Sequence, residues 1–239
     1  QMQSEEFPGE DEHSIAKHLD SIRKEITKLR PNIEAICDSM NRIVHWERMM
    51  EKKSTEEVLG LFPFLKPPKL LLHKVELRFG VNLKRNLMSG LSRMVDPIFR
   101  LSSGPLLTNV MSYIEDASDK TQENGNLLII IILKSIHVPP SPTPTIVFKG
   151  TTSPLAADDI SVCVDGIEIL SDYCPGMDIT LAVECIFSLY FSLGIEYPKA
   201  LKNGLTFIER YFMKLSTSDK VPLPVLKMYS QITALLLGE

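Results

Sequence analysis

The sequence predicts a mostly helical α+β protein: an N-terminal helical hairpin, a helical middle, and a small antiparallel β-sheet packed on C-terminal helices. Three observations predict it. Apolar residues from Ile15 to Ile43 recur at alternating intervals of four and three, the spacing of one helix face. Asp165-Gly166 parts two short runs that alternate apolar with polar or small residues, 160–164 and 167–170, and this pair suits the two positive-φ positions of a type I′ hairpin turn. Beyond it, Asp178 and Gly194 bracket Leu181, Cys185, Ile186, Leu189 and Leu193, a helical series with its own cap and its own left-handed stop.

Residues 1–13 hold five acidic side chains and almost nothing apolar, so they cannot offset their ordering entropy and are expected to form a disordered acidic tail. A segment over 14–53 follows, opening at Ser14. Its series is Ile15, Leu19, Ile22, Ile26, Leu29, Ile33, Ile36, Met40 and Ile43, the seam of a coiled coil. Pro31 would delete a backbone bond and clash with the preceding turn, so two helices meeting near Pro31-Asn32 are expected. The stripe is either a hairpin docked on the rest of the fold or a self-associating seam. On the second reading Ile15, Leu19, Ile22, Ile26 and Leu29 are candidate interaction residues.

Over 54–138 a helical region is expected. Ser54-Thr-Glu-Glu57 reads as a capping box, Pro63 ends that short helix, and Pro67-Pro68 starts another with Leu71, Leu72, Val75 and Phe79 inward and Gly80 as its stop. Asn82 caps the next, which carries Leu83, Leu87, Leu91, Val95 and Ile98. A further helix over 105–113 and a polar loop over 115–126 follow. The run 127–136 is read as a buried helix, although its isoleucines also favour a strand. Pro139 to Pro144 is a stiff polyproline linker into the β part, so 139–239 forms a hairpin plus helices, one unit with 54–138. There Thr145–Phe148 adds a strand, and a last recognised helix begins near Pro198 with Leu201, Leu205, Ile208, Phe212 and Leu215 on one stripe.

The run Ile160-Ser-Val-Cys-Val-Asp-Gly-Ile-Glu-Ile-Leu170, the apolar helix after it, and Ile195-Glu-Tyr-Pro-Lys-Ala-Leu-Lys-Asn-Gly-Leu-Thr-Phe-Ile208 resemble the C-terminal region of vertebrate sterile alpha motif domain-containing protein 3-like proteins. Upstream, Leu29-Arg-Pro-Asn32, Met40, Trp46-Glu-Arg48 and Glu57-Val-Leu-Gly-Leu-Phe-Pro-Phe-Leu65 resemble earlier blocks of that family, so the likeness spans about 14–215. The family has no established activity, and the resemblance implies an architecture and no reaction. No sterile alpha motif domain is visible and the chain starts at Gln1, so a fragment of something longer is expected. The proline-rich stretch at 139–145 departs from the short acidic loop of the relatives.

Composition excludes several classes. The longest apolar run, 127–133, is far shorter than the roughly 20 residues a membrane helix needs, so no membrane segment is expected. Cys37, Cys163, Cys174 and Cys185 show no C-x-x-C spacing, and no signal peptide or N-glycosylation acceptor is present, which makes an intracellular, reducing location the expectation, cytoplasm or nucleus. Phosphate-loop, dinucleotide, zinc-protease and serine-hydrolase signatures are absent. The five histidines stand at no ligand spacing, so no metal, no cofactor and no catalytic residue is expected. Ser21-Ile-Arg-Lys24 matches S-x-x-K in letters alone, without companion motifs.

One charge feature stands out. Residues 66–100 hold eight Lys or Arg against two acidic residues, in a chain of net charge −4. Lys84, Arg85 and Arg93 are the candidate phosphate contacts there, since clustered cations suffice to track a nucleic-acid backbone. The chain is therefore read as a non-enzymatic protein-interaction or scaffold module with a protein partner or a second copy of itself. Nucleic-acid binding through 66–100 is the alternative.

Overall fold

The computed structural model describes residues 11–43, 53–101, 142–149, 159–169, 177–215 and 220–238. Among them are eight α-helices and a three-stranded antiparallel sheet, as the sequence predicts.

Helix α1 (Glu12–Ile26) starts two residues before Ser14, because Asp11 and Ser14 form a capping box: the Asp11 side chain accepts from the Ser14 N–H, and the Ser14 side chain accepts from the Asp11 N–H. The expected tail thus gives up Glu12 and His13 to helix; 1–10 lie outside the described residues. Helix α2 (Ile33–Ile43) follows the Pro31-Asn32 joint, where the Asn32 side chain accepts from the Ala35 N–H and the Glu25 side chain accepts from the Asn32 N–H at 2.7 Å. Helix α1 packs on α2 and on a 3₁₀ turn, Pro63–Leu65, and α2 packs on the helix Pro68–Phe79. The hairpin is docked.

Helix α3 (Thr55–Leu61) carries the expected Ser54–Glu57 capping box, with the Ser54 N–H donating to the Glu57 carboxylate at 2.8 Å. Helix α4 (Pro68–Phe79) ends at Gly80 (φ 64°), and α5 (Leu83–Leu101) starts where the Asn82 side chain accepts from the Arg85 N–H. Leu83, Leu87, Leu91, Val95 and Ile98 are all buried. The segments expected over 105–113, 115–126 and 127–136, and the first half of the proline linker, 139–141, lie outside the described residues.

Strands β1 (Thr145–Lys149), β2 (Asp159–Val164) and β3 (Ile167–Ile169) run in that order across the sheet. Asp165 and Gly166 take φ of 53° and 75°, the two positive values a type I′ turn requires. The pairing aligns Ile146, Val162 and Ile169 in one row, all buried, on a sheet packed against α6 (Ile179–Leu193). Beside it, the Lys149 ammonium reaches Glu168 at 2.5 Å and Asp159 at 3.7 Å.

Helix α6 is capped by Asp178, whose side chain accepts from the Leu181 N–H at 2.7 Å, and stopped by Gly194 (φ 65°). It is buried almost all round, with α4, α5 and the sheet about it. The next helix starts later than expected. Pro198 opens a turn closed by the Leu201 N–H, and α7 (Lys202–Phe207) begins only after it. It widens at once into a π turn, Ile208–Phe212, closed by the Met213 N–H on the Ile208 carbonyl at 2.9 Å. That turn lies against α5: Gly90 faces the Phe212 backbone, and the Asn86 side-chain amide donates to the Met213 carbonyl at 3.0 Å. Helix α8 (Leu223–Leu237) lies on α5 and α7. One apolar core, from Ile15 on α1 to Ile232 on α8, joins all these elements.

Candidate functional site

Helix α8 starts after Pro222 and ends at Gly238 (φ 77°). Its inner side buries Val225 and Ile232, and Tyr229 stacks on Tyr211 with ring centroids 3.8 Å apart. The outer side is different. Leu223, Leu226, Ser230, Ala234 and Leu237 fall three, four, four and three residues apart, which aligns them in one stripe. Leu223 is 80% exposed and Leu237 70%, with Leu226 and Ser230 exposed between them.

Exposed leucines scattered singly need no explanation. Here half of the exposed large apolar side chains among the described residues sit on this one helix, while the others, Leu29, Leu77, Met88 and Leu101, are dispersed. Lys227 is the sole charged residue among the fifteen, and neither an acid in the first turn nor a base in the last answers the helix dipole. Such a surface can exclude water against a second apolar face.

The polar chemistry lies inside. Glu184, at the middle of α6, is 3% exposed, and one of its carboxyl oxygens has no hydrogen-bond partner. Burial raises its pKa to about 7, against a smaller opposing pull from Lys84. The Tyr197 hydroxyl donates to the Glu209 carboxyl at 2.9 Å, and its ring packs edge-on against Tyr190 and Phe187. Burial, and then the adjacent Glu209, hold that phenol far above its usual range, so it stays a donor. Among the described residues no three His, Cys, Asp or Glu side chains gather to hold a metal ion. Cys37 and Cys163 are free thiols, and burial raises both above the ordinary thiol pKa. Among the same residues no helix is long and apolar enough to cross a membrane.

Of the residues expected on a self-associating seam, Ile15, Leu19 and Ile22 are buried in the chain's own core and Ile26 packs against it. Only Leu29 is open, 99% exposed, because α1 stops at Ile26 and leaves it in the joint. That seam is occupied internally. The three candidate phosphate contacts do not share one side of their helix. Lys84, Arg85 and Arg93 are exposed on α5, but Lys84 and Arg93 stand nine positions apart, about two and a half turns, and so on opposite sides. Lys74 is buried, with its ammonium 5.9 Å from the Phe64 ring centre, and the Arg78 guanidinium donates to the Phe191 carbonyl.

Comparison with protein-family models, curated proteins and solved structures finds no match to this chain. The α8 face is the site that sequence reading missed. Its signal was present at 223–237, where leucines recur at helical spacing with one charge, but the stripe alone does not tell the inner side of a helix from the outer. Glu184 was legible too, as a lone acid in an otherwise apolar helix.

Proposed function

We propose that the chain is a non-enzymatic protein-interaction module that offers the outer stripe of α8 to an amphipathic helix of another polypeptide. The observation that carries this is the exposure of Leu223, Leu226 and Leu237 along one line of a nearly uncharged helix. Burying such a side chain is worth about 1.5–3 kcal/mol, so three leucines held in water are a reserve that a matching apolar face would recover. The resemblance to sterile alpha motif domain-containing protein 3-like proteins, a family without an established reaction, is in keeping with this. An intracellular place suits the free thiols of Cys37 and Cys163.

The test is titration of the full chain against a labelled synthetic amphipathic helix with a leucine seam, followed by fluorescence anisotropy. Saturable binding lost in Leu226→Glu supports the module. Absence of binding, or binding indifferent to that change, removes it.

A further inference from the structure

We infer that the partner of the α8 stripe is α8 of a second copy, packed antiparallel about Ser230; this rests on the interaction-module reading and names its occupant. The stripe is symmetric about that serine. Leu223 and Leu237 lie seven positions either side, and Leu226 and Ala234 four. An antiparallel pair of identical helices sets each position against its mirror image, so Leu223 meets the second copy's Leu237, Leu226 meets its Ala234, and each Ser230 meets the other. A two-fold interface needs this self-complementarity, in which the same patch serves on both sides. The serine at the axis is small enough for the backbones to approach, and each hydroxyl can both donate to and accept from the other.

Charge points to the same partner. Lys227 lies near the start of α8, where the helix dipole is positive and no acid relieves it. Turned end for end, a second copy brings its final turn, rich in unpaired carbonyls, beside that lysine, and the two Lys227 side chains lie at opposite ends from the Ser230 axis. The two helix dipoles then oppose. A parallel pair would set Lys227 against Lys227 and leave both ends unanswered. The helix is about 22 Å long, so the interface is small and the association weak and concentration-dependent.

Sedimentation velocity of the full chain over a wide concentration range is expected to show a monomer–dimer equilibrium, weakened by about tenfold or more in Leu226→Glu. Leu223→Lys is a second variant for the case that the first fails to fold, and circular dichroism checks both. Oxidation of Ser230→Cys is expected to link two copies above the wild-type background. Leu223→Cys should link poorly with itself and readily with Leu237→Cys. A chain monomeric throughout, a dimer indifferent to both charge substitutions, or equal self-linking at 223 and 230 would overturn the inference. If the synthetic amphipathic helix still binds a strictly monomeric chain, only the self-pairing fails. If it does not bind either, the module reading fails as well.

Discussion

A β-carbon built on Gly90 would stand 2.7 Å from the α-carbon of Phe212, closer than any real contact of that kind. Helix propensity alone favours alanine over glycine inside a helix by about 1 kcal/mol. The close approach of α5 to the π turn reverses the sign. Gly90→Ala is expected to destabilise the fold by about 1–3 kcal/mol, because the atom it meets is backbone and cannot swing aside. Urea unfolding followed by circular dichroism measures this, and a stabilised variant would mean the two helices separate freely.

Tyr197→Phe deletes the hydroxyl that donates to Glu209 while keeping the ring against Tyr190 and Phe187. A loss of about 1–3 kcal/mol is expected, the usual cost of removing one partner from a buried bond to an ionisable group. Chemical denaturation of the two proteins side by side decides it. No difference would place the Glu209 carboxyl in water.

Glu184 makes stability depend on pH. Its pKa rises from 4.5 to about 7 on folding, so the folded chain holds the proton more tightly than the unfolded one. The stabilisation is full below pH 4.5, declines as pH rises through about 7, and is absent above it. The limiting difference is on the order of 3 kcal/mol. Glu184→Gln, which cannot ionise, is expected to match wild type in mild acid and to exceed it at alkaline pH. Melting curves across that range would contradict this by showing parallel profiles.

The charge reversal Lys84→Glu with Arg85→Glu tests the nucleic-acid alternative. Lys84 and Arg93, on opposite sides of α5, cannot follow one backbone together, so weak retention on DNA or RNA and little change in its salt slope are expected. A slope that falls by about two units would restore the basic segment as a binding track.

The fold was legible where short-range chemistry decides the backbone. Asp165-Gly166, the Ser54–Glu57 box, Asp178, Gly80 and Gly194 each announce a turn, cap or stop, because only a few residue types tolerate those conformations. Boundaries set by longer-range packing were not legible. The π turn at 208–212 answers to α5, far away in sequence. The same limit left the seam open between two readings. Ile15, Leu19 and Ile22 have the spacing of a self-associating helix, and whether such a stripe meets its own chain or another depends on partners the local sequence does not name. For α8 the ambiguity ran the opposite way: Val225 and Ile232 face the core, and the leucine stripe faces outward.

The π turn at 208–212 holds one residue more than an ordinary helical turn would use over the same path. Loss of a single amino acid there would leave a respectable α-helix, yet would rotate Met213 and Leu215 by about 100° away from the side they now occupy. The Asn86 amide would lose its acceptor at Met213, and Phe212 its seat beside Gly90. Length, more than the identity of any one side chain, is what natural variation could not easily alter in this stretch.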